Sequence, residues 1–197
     1  MSRDKIDTKR RRFLTTATTV LVGIGVAYAA YPFLASWLPS TTTKAMGAPV
    51  LVDVTQLEFG SRLVVEWRGK PIWIVRRSQQ TLDSISSLNN VLNDPNSLEP
   101  QQPSYAQNTY RSIKPEYFVV EAICTHLGCV PTYNPGLGEI DPDWKGGFFC
   151  PCHGSKFDMA GRVYKGVPAP TNLVIPPYRY VSDTVILIGE GSERHPK

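Results

Sequence analysis

The sequence predicts an all-β domain of stacked antiparallel sheets, preceded by one N-terminal transmembrane helix. Three observations predict it. Short β-prone runs recur between residues 50 and 188, with no strand–helix alternation and no internal repeat. A long uncharged apolar stretch stands near the N-terminus. All four cysteines fall between positions 124 and 152, on or beside two loops.

The N-terminal elements come first. Residues 1–12 hold Arg3, Lys5, Lys9, Arg10, Arg11 and Arg12 against Asp4 and Asp7. The whole chain carries +4, so everything after residue 12 is neutral on balance. The basicity is a tail, whereas nucleic-acid binding needs a basic patch on the fold itself, so no nucleic-acid partner is expected. Residues 13–43 carry no charge, and the apolar part, 13–38, exceeds the roughly 20 residues that a membrane-crossing helix needs. Basic residues before it and none until Lys44 keep the N-terminus in the cytoplasm by the positive-inside rule. Tyr28, Tyr31 and Trp37 suit interfacial anchoring at the far end. The run Arg10-Arg11-Arg12-Phe13-Leu14 resembles a twin-arginine export signal. An ordinary cleaved signal has an apolar region of only about 7–15 residues, so an uncleaved anchor is favoured. The expected topology is single-pass in a bacterial inner membrane, with residues 50–197 in the periplasm.

Residues 39–49, small and bounded by Pro39 and Pro49, read as a flexible hinge linker. Strands are expected at 50–54, 61–67 and 71–76, the last two joined by a turn at Arg68-Gly69-Lys70. Residues 78–115 are polar and rich in Ser, Asn, Gln and Pro. Leu82, Ile85, Leu88 and Leu92 recur there at helical spacing, which predicts one short helix packed on the domain before Asp94-Pro95 stops it. Further strands are expected at 117–123, 147–150, 178–181 and 185–188.

The chemistry is concentrated in Cys124-Thr125-His126-Leu127-Gly128-Cys129 and Cys150-Pro151-Cys152-His153-Gly154-Ser155. A purely disulfide framework leaves His126 and His153 unexplained. A zinc site takes four Cys or His ligands, often from C-x₂₋₄-C and H-x₃₋₅-H pairs. Here the pairs are mixed and each loop has one extra cysteine. Counting alone leaves a Cys₂His₂ zinc site plus a disulfide open.

The paired motifs CTHLGC and CPCHGS resemble the Rieske family, and the resemblance implies a Rieske-type fold with a cluster-binding subdomain at about 121–170. It implies one [2Fe–2S] cluster, with Cys124 and Cys150 on one iron and His126 and His153 on the other. It also implies a disulfide between Cys129 and Cys152, which needs an oxidising compartment and so agrees with export. Two thiolates and two neutral imidazoles cancel the 2+ charge of an oxidised core, so reduction is easier than with four thiolates. Potentials in the family reach about +300 mV, against roughly −400 mV for plant-type clusters. Gly166-Val167-Pro168-Ala169-Pro170, with Asn172 and Leu173 after it, resembles the proline loop of the quinol-oxidising branch.

Within the family the chain resembles the iron–sulfur subunit of ubiquinol–cytochrome c reductase. That implies one electron taken from quinol and passed to a membrane-bound c-type cytochrome, beside a cytochrome b subunit. His153 would hydrogen-bond the quinol and accept its proton for release to the periplasm, with Leu127 on the docking surface. Ser155 and the position of Phe157 would lie next to the cluster; the high-potential pattern has a tyrosine where this chain has Phe157. Soluble Rieske ferredoxins usually lack the second cysteine pair and the anchor. The small subunit of arsenite oxidase is the alternative that shares the export signal. A plastoquinol-oxidising relative and a zinc-stabilised binding module are less favoured.

Overall fold

The computed structural model describes residues 7–40, 43 and 47–191. Arg3, Asp4 and Lys5 of the tail, and residues 41, 42 and 44–46 of the linker, lie outside the described residues. The chain divides into two units, Met1–Ala45 and Met46–Lys197.

The first unit is one helix, α1 (Thr8–Ala35). Asp7 caps it: the carboxylate accepts the backbone N–H groups of Lys9 and Arg10 at 3.0 and 3.1 Å. This cap lies upstream of the basic run, so Lys9–Arg12 ride on the first turns of the helix, which starts before the apolar stretch does. The 28 residues span ~42 Å at ~1.5 Å each, more than the hydrocarbon core requires. An 18-residue window reaches a mean hydropathy of 1.7, long and apolar enough to cross a membrane. The Thr15 and Thr19 hydroxyls donate back to the Arg11 and Thr15 carbonyls, so neither is left unsatisfied against lipid. The helix ends just beyond Pro32, three residues short of the expected limit at 38.

The second unit is built from three three-stranded antiparallel sheets. β1 (Val50–Asp53), β9 (Val185–Ile188) and β8 (Tyr178–Tyr180) form the first. β2 (Arg62–Trp67), β3 (Lys70–Arg76) and β4 (Tyr117–Glu121) form the second. β5 (Thr132–Asn134), β6 (Gly147–Cys150) and β7 (Ser155–Asp158) form the third. The β2–β3 turn is tighter than expected. Trp67 pairs with Lys70, and only Arg68 and Gly69 turn, with φ of 54° and 71°. Positive φ at both centres is the type I′ geometry that matches strand twist. Ile72, Ile74, Phe118, Phe148 and Phe157 are fully buried at the core.

Between β3 and β4 the polar segment folds as α2 (Gln79–Ser87), followed by single 3₁₀ turns at Asn89–Val91 and Ser104–Ala106. Ser78 caps α2 by accepting the Thr81 N–H at 3.3 Å. Ile85, Leu88 and Leu92 are buried as their spacing predicts, although the α-helix stops at Ser87 and Leu92 is extended. Leu92 instead bridges Tyr164. Two strands went unforeseen, β5 and β7. Both are short, and β7 (Ser-Lys-Phe-Asp) carries two charges in four residues.

Candidate metal centre

The two cysteine loops are built alike. In the first, the Cys124 N–H donates to the Cys129 carbonyl at 2.8 Å, and the Gly128 N–H to the Cys124 carbonyl at 3.0 Å. In the second, β6–β7 pairing sets Cys150 opposite Ser155, and the Gly154 N–H donates to the Cys150 carbonyl at 2.9 Å. Gly128 (φ 82°) and Gly154 (φ 77°) occupy the left-handed region. A Cβ at either would touch nothing, so backbone conformation, not space, calls for glycine there.

These loops bring together the four residues expected to bind metal. Cys124 and Cys150 are free thiols, each 2% exposed, with their side chains in hydrogen-bond contact. The imidazoles of His126 and His153 meet edge to face, centroids 4.7 Å apart. His153 is exposed and His126 half-buried. The Nδ1 of His126 is buried with no hydrogen-bond partner among the described residues. A buried nitrogen lone pair or N–H left alone costs about 1–3 kcal/mol, and a metal ion on that side would remove the cost. Two adjacent sulfurs, two adjacent imidazoles and an orphaned inward nitrogen fit a [2Fe–2S] cluster with sulfur on one iron and nitrogen on the other.

Cys129 and Cys152 are joined in a disulfide that ties one loop to the other. Their sulfurs and that of Cys150 lie within 4.8 Å of one another. Two of these three are already spent on each other, so the trio is no ligand set; the disulfide braces Cys150 from behind.

Burial pushes the Cys124 thiol up, while the His126 backbone N–H and the Ser155 hydroxyl, both within reach of its sulfur, favour the thiolate. Metal coordination deprotonates a thiol outright. Ser155 is fully buried, and its Oγ accepts the Ala169 N–H at 3.0 Å. One hydroxyl thus joins the proline loop to the cysteine loop. Thr125, not singled out from sequence, makes a second tie: its Oγ1 donates to the Thr171 carbonyl at 2.7 Å. Asn172 accepts the Val163 N–H at 2.9 Å and donates to the Asp94 carbonyl at 3.0 Å, anchoring the same loop from below. Phe157 is fully buried in β7, opposite Phe148. Leu127 is 70% exposed at the loop tip, and Val130 and Leu137 are exposed as well.

Comparison with known proteins agrees with this geometry. Residues 98–179 match the family described as "Rieske [2Fe-2S] domain". Residues 1–40 match "Ubiquitinol-cytochrome C reductase Fe-S subunit TAT signal". The chain is 56% identical to the ubiquinol-cytochrome c reductase iron-sulfur subunit of Allochromatium vinosum, over 96% of this chain and 93% of that one. It is 43% identical to the protein of the same name from Blastochloris viridis, covering 96% and 98%. Among solved structures, "Hyperthermophilic respiratory Complex III" is similar at a TM-score of 0.49 and 24% identity, covering 87% of this chain and 98% of that chain. At 56% and 43% identity along 96% of its length, this chain belongs to the family of ubiquinol–cytochrome c reductase iron–sulfur subunits.

Proposed function

We propose that Cys124, Cys150, His126 and His153 hold the cluster, and that His153 is the residue quinol meets. The observation that carries this reading is the buried, unpartnered Nδ1 of His126 beside the exposed ring of His153. The bound cluster would supply one-electron chemistry, taking one of quinol's two electrons while the other goes to haem b of the cytochrome b subunit. The outward nitrogen of His153 accepts a hydrogen bond and then the proton from a quinol hydroxyl, and releases that proton to the periplasm. Leu127 excludes water from the contact. Ser155 and Thr125 hold both cysteine loops against the proline loop. The cluster-binding subdomain spans about residues 121–170 on the β5–β7 sheet. The head serves a cytochrome b subunit at one position and a membrane-bound c-type cytochrome at the other. It moves between them on linker 39–49, and α1 anchors the chain with its N-terminus in the cytoplasm.

The test is iron and acid-labile sulfide content in His126→Ala and His153→Ala, with His195→Ala as control. Loss of both elements in the first two alone is expected. Full iron in either would overturn the ligand assignment. Haem b and haem c leaving the membrane with this chain in mild detergent would support the partners, and their absence would count against them.

A further inference from the structure

Three arginines are fully buried or nearly so: Arg77, Arg111 and Arg162, exposed by 1%, 0% and 0%. Arginine is almost never buried unless paired. Arg162 is paired, its Nε and Nη2 reaching Asp158 at 2.8 and 2.7 Å. Arg77 and Arg111 have no carboxylate of their own. Arg77 donates to the carbonyls of Pro115, Tyr110 and Met159 and to the Ser112 hydroxyl. Arg111 donates to the carbonyls of Ala160, Gly161 and Leu173 and to Gln102 Oε1. It holds this position with a left-handed backbone, φ 49°, which is unfavourable for a non-glycine residue. The other buried carboxylate among the described residues, Glu121, is neutralised by Lys70 at 2.7 Å.

Three buried positive charges therefore share one fully buried carboxylate: Asp158 pairs with Arg162 and attracts Arg77 and Arg111 through space, and half-buried Asp94 attracts Arg111, which leaves the knot positive on balance. Burial lowers the pKa of Arg77 and of Arg111 to about 10, so both stay charged at neutral pH. All three guanidiniums converge on residues 158–162, directly after β7. Asp158 closes one end of β7, and Ser155, opposite Cys150, opens the other. The strand end that the knot holds thus lies ~10 Å along β7 from Ser155, at ~3.3 Å per residue. Charges inside a protein act at this range with little screening by salt. Segment 78–115 contributes Arg111 and most of the acceptors that hold Arg77.

We propose that the net positive charge of the Arg77–Arg111–Arg162 knot raises the reduction potential of the metal centre, and that segment 78–115 serves the reaction by building that knot. None of the three touches the cluster loops; they act through the field. A reduced centre carries one more negative charge than an oxidised one, so nearby positive charge favours reduction. The inference rests on the ligand assignment above.

The experiment is a spectroelectrochemical titration of the detergent-purified complex, with iron content measured alongside. Arg111→Gln and Arg77→Gln should lower the midpoint potential. Arg111→Lys should restore most of it, because it keeps the charge while losing the forked hydrogen bonds. Asp158→Asn, which removes the negative charge, should raise it. A sign that follows charge across the variants that load iron supports the proposal. No shift, the same direction for Arg111→Gln and Asp158→Asn, or Lys behaving like Gln overturns it. If none of the variants loads iron, the knot is scaffolding alone and the proposal also falls. Failure of the ligand assignment shows differently, as full iron in the histidine variants.

Discussion

Replacing Ser155 by alanine separates two jobs that one oxygen performs. Its Oγ accepts the Ala169 N–H at 3.0 Å, which leaves the hydroxyl free to donate to the Cys124 sulfur, whose thiolate it favours. The site is fully buried, so no water enters cheaply to take over either bond. Losing the first leaves a buried N–H unpaired, at about 1–3 kcal/mol of stability. Losing the second removes a hydrogen bond to a charged sulfur, worth about 1.5–3 kcal/mol. That bond exists in both redox states, and only its extra strength in the more negative, reduced state shifts the potential. If about half is differential, the shift is ~0.7–1.5 kcal/mol, or ~30–60 mV downward at 59 mV per tenfold for one electron. The assay is redox titration of the purified complex, with iron and sulfide counted to show full occupancy. A fully loaded Ser155→Ala centre with an unchanged or raised potential would refute the reasoning.

Three further outcomes are expected. Phe157→Tyr adds a hydroxyl to a ring with no exposure; if it reaches sulfur, the potential rises by tens of millivolts at the same ~1 kcal/mol scale, and an unchanged value means this position does not tune the centre. Cys129→Ser and Cys152→Ser should each lower cluster content although neither is a proposed ligand, because the disulfide holds both loops and backs Cys150; normal content and potential in both would make the bridge dispensable. Asp141 lies below the ordinary carboxylate range because the Lys156 ammonium hydrogen-bonds it at 2.8 Å. A depressed carboxylate stabilises the fold above its unfolded pKa and loses that contribution as pH falls through the folded one. The melting-temperature gap between the wild type and Asp141→Asn should therefore shrink from about pH 6 to about pH 3, and a gap that widens there contradicts the pairing.

Legibility followed chemistry more than size. The ligand loops could be read because CTHLGC and CPCHGS resemble the Rieske motifs, where counting alone left a zinc site open, and the structure brings the two thiols together and the two imidazoles together. Strands with β-branched runs, such as 71–76, could be read for the usual packing reason. β7 could not: its four residues are Ser-Lys-Phe-Asp, and its buried residues include a serine held by Ala169 and an aspartate held by Arg162, polar groups that do not mark a strand. The buried arginines gave no signal either. Arg111 stands in a polar segment and Arg77 just before it, where charged residues read as solvent-facing, and only the tertiary fold supplies the carbonyls that let both go inside. The helix-capping aspartate, Asp7, carries no signal of its own, because it sits in a charged tail upstream of the apolar stretch.

The first strand of the head pairs with the last: Val50 lies opposite Ile188. That register sets a clock on synthesis. At about 5–20 residues per second, a ribosome takes roughly 7–28 seconds to travel from one partner to the other. During that interval β1 has no neighbour in its sheet, and the head is unfinished. On the proposed topology, a machine that pulled the growing chain across the membrane in that window would deliver bare thiols to the periplasm, where four cysteines can pair in three ways. A translocation route that waits for a finished domain avoids the wrong pairings, because only then is the Cys129–Cys152 match the one the fold presents.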